Sequence, residues 1–173
     1  MSVASFGPRV ARALPLSIAL LLGPAVTAWA GCTDAAAPGV NWRRCLLDER
    51  PLSRVDLTGA QLREVSLTRA VLDGAIFTGA EAFGAKFINA SLKGAKLDSA
   101  RLANTDFTDA DLTGADLSRS DLRNARFVGA RLRGANLTGT ELRGTVFRDA
   151  DLSGATWTDG TKICAEGSTG LCE

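Results

Sequence analysis

Residues 110–119 read Ala110-Asp111-Leu112-Thr113-Gly114-Ala115-Asp116-Leu117-Ser118-Arg119, one five-residue phrase written twice. Stepping outward from Leu112 by five in both directions, the series runs from Leu52 to Trp157. Of its 22 positions only Ala82 is not large and apolar. Two residues before each stands a small residue. Fifteen of these are Ala, the others being Val55, Val65, Thr105, Ser120, Thr140 and Thr145, and Arg50 alone breaks the rule. Two residues after each large residue, 17 of the 22 positions are Gly, Asn or Asp.

A period of five suits neither regular element. On an α-helix it advances the apolar residue by about 140° per step and smears it around the cylinder. On a continuous strand an odd step sends it to the opposite face. The pattern works only if the chain turns once per repeat. Small and large residues two apart both point inward from a short extended segment. Gly, Asn and Asp then turn the corner, because they accept positive φ most readily. Phe87, Phe107, Phe127 and Phe147 recur every twenty residues, as do Gly74, Gly94, Gly114, Gly134 and Gly154. Twenty residues are four repeats, so the coil is square, with Phe stacked on Phe inside and Gly on Gly along an outer edge. Five and a half coils at ~4.8 Å give a stack roughly 26 Å long. Ala82 leaves a gap in the core series, and Phe83 beside it could face inward by a one-residue slip or face solvent.

These residues resemble the pentapeptide repeat family, whose motif is Ala, then Asp or Asn, then Leu, then two variable residues. Ala110–Gly114, Ala115–Arg119, Ala135-Asn136-Leu137-Thr138-Gly139 and Ala150-Asp151-Leu152-Ser153-Gly154 carry the match. It covers about three-quarters of the chain after residue 30. The resemblance implies an all-β fold, a right-handed quadrilateral parallel β-helix. At the second position only Asp56, Asp106, Asp111, Asp116, Asp121, Asn136 and Asp151 fit the motif. The rest depart from it, at a place that faces outward.

The ends read differently. Residues 1–30 hold Arg9 and Arg12, an apolar run from Leu14 to Leu22, and Ala28-Trp29-Ala30. This is the layout of a secretory signal, with a run too short to remain as a transmembrane anchor. Residues 31–50 are expected to form an N-terminal cap and first partial coil, residues 51–158 the β-helix, and residues 159–173 a C-terminal cap loop. Cys32 with Cys45, and Cys164 with Cys172, form two terminal pairs, which in an oxidising compartment read as two local disulfides. Export to the periplasm or beyond the cell follows from that reading. The alternative is a lipoprotein anchored through Cys32, which would leave an odd number of thiols, and Trp29 departs from the usual lipoprotein signal.

Composition bounds the chemistry. There is no His, so Ser–His and Cys–His nucleophile pairs and His-ligated zinc are excluded. No catalytic residue, cofactor site or metal site is expected. Asp106, Asp109, Asp111, Asp116 and Asp121 should fall on different faces rather than converge on calcium. Twenty basic residues balance nineteen acidic ones, which argues against nucleic acid as a partner. The same balance, with the export signal, argues against the gyrase-inhibiting DNA mimicry known in some family members. Arg123, Arg143, Arg126, Arg131 and Arg133 form a possible interaction surface for an envelope protein, lipopolysaccharide or phospholipid headgroups. The expected role is a non-enzymatic structural or interaction scaffold. Some relatives pair end to end through the last coil, and a tied cap over Trp157 is expected to block that, leaving a monomer.

Overall fold

The computed structural model describes residues 32–173. The secretory signal expected over residues 1–30 lies outside the described residues. From Asn41 to Thr156 the chain winds as a ladder of parallel bridges, each residue pairing with one twenty positions on, from Asn41 with Gln61 to Asn136 with Thr156. Each side of the square contributes a single bridged residue, so no side is long enough to count as a strand. The core series starts two sides earlier than the sequence reading placed it, at Trp42 and Leu47, with Val40 and Cys45 in the small positions. The coil therefore closes six turns, not five and a half. The first partial coil expected within residues 31–50 is the start of a full one, with Trp42 and Leu47 on its first two sides and Leu52 and Leu57 on the others.

Four core columns define four faces. The first holds Trp42, Leu62, Ala82, Leu102, Leu122 and Leu142. The second holds Leu47, Leu67 and the four stacked phenylalanines. The third is leucine throughout, from Leu52 to Leu152. The fourth runs from Leu57 and Phe77 to Trp157. Phe87, Phe107, Phe127 and Phe147 stack with centroids 5.1, 4.8 and 5.1 Å apart, nearly parallel. Ala82 points inward, 1% exposed, while Phe83 lies outside at 40%. The slip is not taken. Phe77 and Phe87, on the sides before and after Ala82, meet edge to face at 5.8 Å and bring the bulk that Ala82 lacks.

Backbone bookkeeping explains the motif, since each buried donor needs a partner. In each repeat the large residue's N–H donates to the next coil, as Leu57 does to the Ile76 carbonyl at 2.7 Å. The corner residue does the same, Gly59 to Thr78 at 3.0 Å, and the second-position residue donates back, Ile76 to Val55 at 2.9 Å. The small residue closes a turn, Ala60 N–H to the Leu57 carbonyl at 3.0 Å. One donor remains, the N–H just after the large residue. The second-position carboxylate or amide takes it: Asp106 Oδ1 accepts from the Thr108 N–H at 3.0 Å and from its hydroxyl at 2.5 Å. All seven motif-matching residues, Asp56, Asp106, Asp111, Asp116, Asp121, Asn136 and Asp151, make this bond. Where Ser66 and Ser91 stand instead, Asp48 and Asp73 reach from the coil before to the N–H groups of Thr68 and Lys93. The second position thus locks the turn besides decorating the surface.

Every corner from Gly39 to Gly154 has positive φ, and twelve of those corners are not glycine, among them Arg54 (58°) and Glu64 (57°). Hydroxyls in the small positions bond back to carbonyls. Thr105 donates to Ala82 at 3.1 Å and Ser120 to Leu117 at 2.6 Å, so no buried side-chain polar atom among the described residues lacks a partner.

Both ends are tied. Cys32 is bonded to Cys45, and Cys164 to Cys172. The Trp42 indole N–H donates to the Asp34 carbonyl at 3.3 Å beneath the first coil. At the far end the tail pairs antiparallel with the last coil, Thr156 with Ile163 and Asp151 with Thr169. Trp157 packs tilted on Phe147 at 5.8 Å. The tail covers the third and fourth faces of the terminal coil. Leu142 and Phe147 on the other two are partly exposed, and Val146 is 42% exposed.

Candidate interaction surface

The coil separates residues that are close in sequence, since every five residues take the chain around a corner. The five arginines singled out above occupy three faces. Arg123 and Arg143 sit one coil apart on the first face, in the position after the core residue. Arg126 lies on the second face, bridged between Asp106 and Val146. Arg131 and Arg133 lie on the third. Arg131 is 3.7 Å from Asp111, and Arg133 pairs with Asp151 at 3.2 Å and Glu166 at 2.7 Å, joining the cap to the coil. The acidic stretch spreads likewise: Asp121 is on the first face, Asp106 and Asp109 on the second, Asp111 on the third and Asp116 on the fourth.

The first face gathers more than the sequence reading saw. In the column after the core residue it carries Arg43, Arg63, Phe83, Ala103, Arg123 and Arg143 in successive coils. Two arginines stand on each side of a phenylalanine and an alanine. Reading the chain in steps of twenty along this outer column would have found them; reading along the chain did not. The Arg63 guanidinium lies over the Phe83 ring, 5.2 Å from its centroid. Ala103 forms a floor, 8% exposed. Beside the column, Arg101 pairs with Glu81 at 3.1 Å and Arg143 with Glu141 at 3.2 Å. Arg123 clasps Asp121 through Nε at 2.8 Å and Nη2 at 2.7 Å, with Glu141 at 3.7 Å. The Arg123 side chain is what chiefly holds the Asp121 carboxyl below its ordinary range. Arg43 bonds to the Gln61 amide. Two adjoining hollows, about 430 and 360 Å³, are both lined by Phe83, Ala103 and Arg123.

The pentapeptide repeat region family matches residues 80–157, and the family of pentapeptide repeats in eight copies matches residues 52–87. This chain belongs to the pentapeptide repeat family. Among solved structures it is similar to HetL, a pentapeptide repeat protein involved in heterocyst differentiation regulation in the cyanobacterium Nostoc. The two are 33% identical with a TM-score of 0.50, over 71% of this chain and 62% of HetL. This pentapeptide repeat chain therefore spans less than two-thirds of HetL's length. A pentapeptide repeat protein of the Arabidopsis thaliana thylakoid lumen is 28% identical, with a TM-score of 0.43, over 70% of this chain and 83% of its own. QnrB1, a plasmid-mediated fluoroquinolone resistance protein, is 22% identical with a TM-score of 0.39, over 71% of this chain and 64% of its own. No curated protein matches the chain.

Proposed function

We propose that this pentapeptide repeat protein is an exported, non-enzymatic interaction scaffold, a square prism that presents side chains from fixed positions to a partner outside the cytoplasm. The observation that carries this is the pair of disulfides, one closing each end of the ladder. Such bonds persist in oxidising compartments. The Cys32 sulfur is engaged with Cys45, which leaves none for the lipid thioether of an anchored lipoprotein and favours soluble export after cleavage at Ala30. The display positions are independent of the core. In each repeat the small and large residues face inward, and the rest are free to carry charge.

The test has two readings. Mass spectrometry of the extracytoplasmic fraction should find a chain beginning at Gly31 with four oxidised cysteines. A cytoplasmic chain with free thiols overturns export. A photocrosslinking residue placed in turn at Asn104, Thr108, Thr113 and Thr138, one on each face, should give adducts with the same partner from one face or two adjoining faces. Absence of adducts from all four overturns the scaffold reading. Inhibition of gyrase supercoiling at micromolar protein would replace it with the DNA-mimic role.

A further inference from the structure

Within that scaffold reading, we infer that the first face is a docking slot for an acidic protein segment that inserts one aromatic side chain over Ala103, between Phe83 and Arg123. Layer spacing sets the size of the slot. Coils repeat at ~4.8 Å, and in this protein's own interior, rings one coil apart stack at 4.8–5.1 Å within 10° of parallel. On the outer column Phe83 and Arg123 are two coils apart, and the layer between them carries only a methyl group. A flat ring in that layer would have Phe83 one coil away on one side and the Arg123 guanidinium one coil away on the other. The same kind of contact is already made once on this column, by Arg63 over Phe83 at 5.2 Å. Arg63 covers one side of the phenyl ring, and the two hollows open beside Ala103.

Charge chooses the rest of the occupant. Four arginines, Arg63, Arg101, Arg123 and Arg143, line the two hollows of the slot against Glu81 and Asp121, and Arg43 extends the column beyond them. Among the described residues, Arg43 and Arg63 have no carboxylate within ion-pair distance. Guanidinium groups in a fixed column present paired donors that suit carboxylates. An aromatic anchor beside arginines is also the composition of interface hot spots. The exposed Phe83, 40% accessible on an otherwise polar face, has its use as one wall of this slot.

The test uses the exported chain with its disulfides intact. The probe is a fluorescein-labelled peptide of aspartates and glutamates around one central tryptophan, followed by anisotropy. Saturable binding is expected. Changing the central tryptophan to alanine should weaken it by roughly tenfold. Ala103→Leu, which fills the missing layer from an outward position, should weaken it similarly while leaving the melting temperature unchanged. Arg63→Glu with Arg123→Glu should abolish it. Equal binding of both peptides, no effect of Ala103→Leu, no saturable binding, or binding only of phosphatidylglycerol vesicles overturns the slot. Crosslinks confined to another face would leave the scaffold standing and remove the slot alone.

Discussion

At the scale of single residues, the second position of the repeat shows how a surface residue becomes structural. In the seven repeats that keep Asp or Asn there, its side chain accepts the one backbone N–H that neither the turn nor the ladder uses. Asp106→Ala should therefore cost about 0.5–1.5 kcal/mol, the net worth of a hydrogen bond. Asp106→Asn keeps the acceptor and should be close to neutral, and urea unfolding of the pair measures the difference. The same bonds set a pH response. Asp56, Asp121 and Asp151 hold their carboxyls below the ordinary range, chiefly through hydrogen bonds from the Thr58 hydroxyl, the Arg123 guanidinium and the Ser153 hydroxyl. A depressed folded value means that the unfolded chain binds protons first. The stabilisation is thus present in full above the unfolded value of about 3.9 and is lost as pH falls through the folded values. Melting temperature should hold steady from pH 7 to 5 and drop below about pH 4. A melting temperature unchanged down to pH 2 would show that these bonds carry no net stability. The sequence announced which residues fit the motif but not why, because their shared partner is a backbone N–H, and every residue type but proline has one.

At the scale of the repeating side and column, the fold was legible because its core obeys a strict period, and illegible where the period was kept by unusual residues. Trp42 keeps the geometry of the first side with an unusual residue, so the first coil reads as partial rather than complete. Ala82 and Phe83 could be exchanged on paper. Only the edge-to-face contact of Phe77 and Phe87 decides between them, and it joins two sides of the square in neighbouring coils. The five arginines from Arg123 to Arg143 group as one surface in the sequence but occupy three faces, because proximity along the chain is not proximity on a face when each five residues turn a corner. The columns themselves make a sharp prediction. Phe107 is wholly buried with a parallel ring above and below it at 5.1 and 4.8 Å. Phe107→Ala should cost about 3–5 kcal/mol, since the square cannot collapse to fill the void. Phe107→Leu keeps an apolar side chain like those of the neighbouring faces and should cost less than about 1.5 kcal/mol. Thermal unfolding of both variants distinguishes a packed column from a loose one. Equal losses would mean that ring stacking, not volume, is what the column needs.

For the whole molecule, the relation between the stack and its ends is the question. Each coil touches only the coils beside it, so stability is close to a sum over neighbours and opening should start at the termini. The disulfides sit there. Cys32–Cys45 and Cys164–Cys172 close loops with sequence separations of 13 and 8, and loops so short should contribute ~2–3 kcal/mol each. Neither bond touches the middle coils, where Phe87, Phe107 and Phe127 are fully buried. Reduction should therefore raise hydrogen exchange first at the amides that join the last coil to the cap, those of Leu152, Gly154 and Cys164. At the other end the amides of Trp42 and Leu47, which donate to Gln61 and Ser66, should follow. The amides of Phe87, Leu92 and Leu97 should keep their protection. The cap end should loosen more, because its tail is held by antiparallel pairing to two sides only, whereas the first coil is bonded to the second on all four. Hydrogen exchange by mass spectrometry with and without reductant reads this directly. A uniform loss of protection from Trp42 to Cys164 would mean that six coils melt as one unit and that the ends govern the whole.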